Sequence, residues 1–138
     1  MPLLLQPRDA YDLWAETYPA TAHNPLMQAE QSVVARLLAQ VEAKRALDVG
    51  TGSGRYLSVL ASTGASVVGI DRSMPMLAHV DTGADSTCRP WPAANRHASP
   101  YVVCGDACAL PFRRATFDLV NASLMVGDLP DLRRWAQK

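Results

Sequence analysis

Residues 46–54 read Ala-Leu-Asp-Val-Gly-Thr-Gly-Ser-Gly: an acid, Asp48, near the end of a short apolar run, then glycines at 50, 52 and 54. Glycine at alternate positions lets a backbone turn pass close to a ligand, and a helix that follows aims its first N–H groups at an anionic group. A second acid, Asp71, ends the next apolar run 21 residues after Gly50 (71 − 50). A carboxylate there can accept hydrogen bonds from both hydroxyls of a ribose, so the spacing suits a cofactor built on adenosine. The nicotinamide fingerprint Gly-x-Gly-x-x-Gly fails in both frames. Begun at Gly50 it meets Arg55, and begun at Gly52 it meets Leu57, where glycine or alanine is required.

These residues need elements to hold them. Asn24 followed by Pro25 forms a helix start, and Leu26, Val33, Val34, Leu37, Leu38 and Val41 recur behind it at helical spacing. Residues 46–49 then form a strand, Tyr56, Leu57, Val59 and Leu60 a helix, and Gly64 its left-handed end. The pattern repeats, with a β-branched strand at 66–70 and a helix of Met74, Met76, Leu77 and Val80 capped by Ser73. Residues 101–104 predict a third strand, 116–120 a fourth, and 131–138 the start of a helix. Strands alternating with helices predict an α/β fold with a parallel sheet covered on both faces. The stretch 81–100 has Pro90, Pro92 and Pro100 and no apolar period, and reads as an irregular excursion in which His97 is solvated.

Composition bounds the function. With 138 residues, 49% hydrophobic and 19% charged, the chain has the make-up of one globular domain. Thirteen basic and thirteen acidic residues cancel, leaving no basic stripe for a phosphate backbone, so nucleic acid is not an expected partner. No apolar run reaches the roughly 20 residues that span a bilayer, and the first residues lack the positive region of a signal peptide, so a cytoplasmic location is expected. Cys88, Cys104 and Cys108 match neither a disulfide framework nor a zinc spacing, and no metal is expected.

The sequence Asp48-Val49-Gly50-Thr51-Gly52-Ser53-Gly54 resembles the first motif of class I S-adenosylmethionine-dependent methyltransferases, and Val68-Gly69-Ile70-Asp71-Arg72-Ser73 resembles the next. Gly105-Asp106-Ala107 with Leu110-Pro111-Phe112, and then Phe117-Asp118-Leu119-Val120, resemble the third and fourth, in the family's order. Tyr11-Asp12-Leu13-Trp14-Ala15-Glu16-Thr17-Tyr18 is similar to the segment before the fold in enzymes of the quinone-biosynthesis and malonyl-carrier-protein methyltransferase type.

The resemblance implies a Rossmann-like doubly wound sheet of four strands in the order 3-2-1-4, an incomplete version of the family's seven-stranded fold that stops after the fourth strand. It divides the chain into an N-terminal lid segment with a leading helix at 1–43 and an S-adenosylmethionine-binding domain at 44–138. It assigns the turn of Gly50, Thr51, Gly52 and Gly54 to the methionine portion of the cofactor, Asp48 to its ammonium and Asp71 to the ribose. Asp106 would accept from the adenine amino group, with the Ala107 N–H facing the ring. Ile70, Arg72 and Met74 or Met76 would wall the adenine, and Asn121 and Ala122 the methionine end. The implied reaction is methyl transfer to a small-molecule acceptor, for which Tyr18 and His23 are the candidate catalytic side chains and Tyr11, Trp14 and Tyr18 the candidates to close over the cofactor. An exposed fourth-strand edge would favour a homodimer. Two alternatives stay open: a non-catalytic domain that binds the cofactor or its demethylated product, and a nicotinamide-dependent oxidoreductase.

Overall fold

A computed structural model describes residues 5–82 and 99–137. Most of the excursion read at 81–100, with Cys88 and His97, lies outside the described residues. The chain begins with helix α1 (Pro7–Trp14), followed by α2 (Pro25–Leu38). Strand β1 (Arg45–Val49), helix α3 (Leu57–Ala61), strand β2 (Ser66–Asp71) and helix α4 (Met74–Leu77) come next. Strand β3 (Tyr101–Cys104), strand β4 (Leu119–Asn121) and helix α5 (Leu132–Ala136) complete it. The four strands are parallel in the order β3-β2-β1-β4, as the family resemblance implies.

The alternation of side chains along a strand sends β1 and β2 into two cores at once. Ala46 and Val67 pack on one face with Leu38, Tyr56, Leu57 and Leu60. Leu47, Val49, Val68 and Ile70 pack on the other with Ala107, Phe112, Phe117 and Leu129. Leu47, Leu60 and Ile70 are almost wholly buried, and each such side chain contributes about 1.5–3 kcal/mol of apolar burial. Both faces of the sheet are therefore covered, and Asp48, on the same face as Ala46, is carried by a strand that cannot shift register without inverting both cores.

The start signals act as the sequence indicates: the Asn24 side chain accepts from the Met27 N–H at 2.9 Å, and Ser73 accepts from the Met76 N–H at 3.3 Å. Three differences have local causes. Helix α2 ends at Leu38, not Val41, because the N–H groups of Gln40 and Val41 turn back to Leu37 and Leu38 in a tightened last turn. Strand β4 begins at Leu119, not residue 116. Ala115 adopts a left-handed φ of 56° in the turn at 114–115, and Asp118 accepts the N–H groups of Lys44 and Arg45, so 116–118 is irregular and fastens the head of β1. Helix α1, absent from the sequence reading, starts with proline in its first turn, where the missing N–H costs nothing.

Candidate functional site

A cavity of about 400 Å³ lies at the carboxyl ends of β1 and β2, within the size range of small-molecule sites. Asp48, Gly50, Thr51, Gly52, Asp71, Arg72, Met76, Asp106, Ala107 and Tyr18 all line it, whereas Gly54, Asn121, Ala122 and His23 do not. Sequence therefore brings most of its candidate residues to one wall, from four separate segments.

Asp48 pairs with Gly69 across the β1–β2 ladder. A Cβ on Gly69 would come within 2.8 Å of the Thr51 side chain, so the bare glycine leaves room for Thr51 to fold back over the strand. Thr51 Oγ1 then donates to Asp48 Oδ2 at 2.7 Å, and Asn121 Nδ2 donates to Oδ1 at 2.8 Å. Asn121 thus reaches the site through Asp48 and not by facing the cavity. Burial raises the Asp48 carboxyl to about 6, against the two hydrogen bonds and the Arg55 charge, which pull it down. Such a carboxylate is stabilised by a cation placed in the cavity.

The turn beyond Asp48 doubles back on itself. Gly50 and Thr51 both donate their N–H groups to the Ile70 carbonyl, at 2.9 and 3.1 Å. Gly50 has φ of 70°, and a Cβ there would meet Met125 Cβ at 2.7 Å, so conformation and space both require glycine. Asp71 is part of this turn as well as of its own strand: Oδ2 accepts from the Gly52 N–H at 2.8 Å and Oδ1 from the Ser73 N–H at 2.9 Å. Each oxygen keeps a second lone pair, so the carboxylate can hold the turn and still receive a diol. Asp106 accepts from the Cys108 N–H at 2.8 Å and caps the short 3-10 turn at Ala107–Ala109.

The N-terminal segment contributes Pro7, Arg8, Tyr11 and Tyr18 to the cavity lining. Tyr11 donates its hydroxyl to Asp128 Oδ2 at 3.0 Å, and Ser73 donates to the Asp12 carboxylate. Burial, then the bond to Asp128, pushes the Tyr11 phenol well above its ordinary range, so it stays a hydrogen-bond donor. Tyr11 stands edge-on to Trp14 and Tyr18, and Tyr18 edge-on to His23 at 5.1 Å. His23 sits against Tyr18 and outside the cavity lining, with Nδ1 3.2 Å from the Thr21 carbonyl.

Sequence reasoning passed over two features. Arg55, used there only to exclude the nicotinamide fingerprint, lines the cavity and pairs with Glu30 at 3.0 Å, a partner no local spacing could reveal. Gly69 did carry a signal, since a lone glycine in a β-branched run marks a close approach. Among the described residues no three His, Cys, Asp or Glu side chains are placed to hold a metal, and no helix is long and apolar enough to cross a membrane.

A family model described as "Methyltransferase domain" matches residues 47–138, two thirds of the chain, from within β1 through every later element. The chain belongs to the class I S-adenosylmethionine-dependent methyltransferase family. It is 32% identical over 111 residues to the biotin biosynthesis bifunctional protein BioHC of Cellvibrio japonicus, a match covering 78% of this chain and 20% of that protein. It is 33% identical over 98 residues to the demethylmenaquinone methyltransferase of Roseiflexus castenholzii, covering 70% and 37%. This methyltransferase domain therefore spans well under half the length of either curated relative. Among solved structures, an S-adenosylmethionine-dependent methyltransferase from Mesorhizobium loti superposes with a TM-score of 0.57 at 25% identity, over 75% of this chain and 44% of that one.

Proposed function

We propose that the protein transfers a methyl group from S-adenosylmethionine to a small-molecule acceptor, with the cavity over β1 and β2 as the cofactor site. The observation that carries the reading is the convergence of Asp48, the glycine turn and Asp71 on one wall, with the turn and Asp71 joined by the Gly52 N–H. The donor set fits the cofactor: carboxylates for an ammonium and a ribose diol, left-handed glycines for close backbone approach, and Ile70 and Met76 as apolar surface for the base.

In this reading Asp48 faces the ammonium, Gly50, Thr51 and Gly52 pass along the methionine portion, and Asp71 receives the ribose hydroxyls. Asp106 and Ala107 meet the adenine edge, with Arg72 and Met76 against its face. Gly54, Asn121 and Ala122 support the methionine end from behind the wall. Bound S-adenosylmethionine would supply an electrophilic methyl group on a positively charged sulfur. The chain's own part is alignment and exclusion of water. Tyr18 faces the cavity, while His23 would act through it.

The same proposal makes 1–43 the lid and leading helix and 44–138 the cofactor-binding domain. The names of the two relatives, a biotin biosynthesis protein and a demethylmenaquinone methyltransferase, support a small acceptor, and the balanced charge argues against nucleic acid. The half-exposed β4, which among the described residues pairs only with β1, supports a homodimer through that edge, and the free thiols Cys104 and Cys108 suit the reducing cytoplasm. Calorimetric titration tests the reading: S-adenosylmethionine should bind and a nicotinamide dinucleotide should not, and the reverse would overturn it. Methyl transfer by the purified chain to a quinol, phenol or carboxylate then separates an enzyme from a domain that only binds.

A further inference from the structure

Glu30, on α2, does not line the cavity, yet three residues it binds do. Its carboxylate accepts from Arg55 Nη1 at 3.0 Å, from the Tyr56 hydroxyl at 2.6 Å and from Ser123 Oγ. The cluster closes on itself: Arg55 Nη2 donates to Ser123 Oγ at 3.3 Å, Nη1 reaches back to the Met27 carbonyl on α2 at 3.4 Å, and the guanidinium lies 4.5 Å from the Tyr56 ring centre. The ionised side chains of the pair are 20% and 11% exposed. Burial alone would raise the Glu30 carboxyl, but the three donors outweigh it and hold it below the ordinary range. The Tyr56 phenol is correspondingly pushed up to about 12, first by burial and then by its bond to Glu30.

A partly buried ion pair of this kind adds little net stability, so its worth lies in the geometry it imposes. That geometry concerns two loops. Arg55 and Tyr56 directly follow Gly54 and fix the far end of the glycine turn. Ser123 lies two residues past Asn121, which holds Asp48. These loops follow β1 and β4, neighbouring strands between which the order of a doubly wound sheet reverses and a crevice opens.

We propose that Glu30 is a positioning residue: acting through Arg55, Tyr56 and Ser123, it sets the spacing of the β1 and β4 loops so that the crevice is open to the cofactor before the cofactor arrives. The proposal rests on the cofactor site described above. Local rearrangement is otherwise part of each binding event, and its cost is subtracted from affinity.

The test is titration of S-adenosylhomocysteine, the demethylated cofactor, into the 138-residue wild type and Glu30→Gln, with ligand-free thermal midpoints recorded beside it. Glu30→Gln leaves one acceptor for three donors, and affinity should fall tenfold or more. A role in stability alone would lower the midpoint and leave the affinity of the folded protein within twofold, and that result overturns the proposal. In combination with Ser123→Ala the loss should be less than the product of the two single effects, because both act on one linkage; independent effects would count against it. Should Glu30→Gln fail to fold, Tyr56→Phe and Ser123→Ala each remove one donor, and unchanged affinity in both refutes the linkage. If the wild type binds neither form of the cofactor, the cofactor reading fails on its own. Amide exchange of residues 50–57 and 121–126 without ligand still decides the positioning, being faster in Glu30→Gln if Glu30 fixes the loops and unchanged if it does not.

Discussion

At the centre of the sheet four of the five residues of β1 and four of the six of β2 are buried, whereas no residue of the outer strands β3 and β4 is. Leu47 and Val120 make the contrast local. They are register partners across β1 and β4, yet Leu47 is 1% exposed and Val120 55%. Position in the sheet, and not residue type, sets what each side chain contributes. The centre also holds the candidate site: Asp48 and Asp71 lie at the carboxyl ends of the two buried strands, and the glycine turn is fixed by N–H bonds to the Ile70 carbonyl and the Asp71 carboxylate.

Substitutions can break this contrast or sharpen it. Leu47→Ala should cost about 2–5 kcal/mol in urea unfolding, as expected for a core leucine with no room to collapse. Gly50→Ala should cost about 1–3 kcal/mol from its left-handed backbone, with more from the contact at Met125, and should abolish cofactor binding in titration. Asp48 makes a pH-dependent contribution. Its folded-state carboxyl is raised to about 6 from an ordinary 3.8, so the native state binds the proton more tightly than the unfolded chain. This group therefore adds stability as pH falls through 6 towards 4 and loses it as pH rises, by about 1 kcal/mol between pH 5 and 7. Asp48→Asn should flatten that part of the stability profile. In the wild type, binding of a cationic ligand should weaken below pH 6 as the carboxyl protonates. At the small end, Val120→Thr should change unfolding by no more than about 0.5 kcal/mol; a loss as large as that of Leu47→Ala would show that β4 is buried in solution.

The same contrast explains what the sequence made legible. The central strands were readable because their apolar runs are buried on both faces, and the turn because glycines at 50, 52 and 54 have few other uses. At the rim, context decided. Residues 116–120 looked like a full strand, but Asp118 is taken up by the N–H groups of Lys44 and Arg45, 74 and 73 residues away. The Glu30 cluster was hidden for the same reason, its partners being 25, 26 and 93 residues distant. Asn121 meets Asp48 as its register partner across β1 and β4, a cross-strand relation that local spacing does not display.

Titration of S-adenosylmethionine into wild type, Asp71→Asn and Asp71→Ala tests the central claim that one carboxylate both receives the ribose and holds the glycine turn. Asp71→Ala should weaken binding by about 1–3 kcal/mol, the usual cost of removing a charged acceptor, with Asp71→Asn falling between it and the wild type. Equal affinity in all three proteins would contradict the claim.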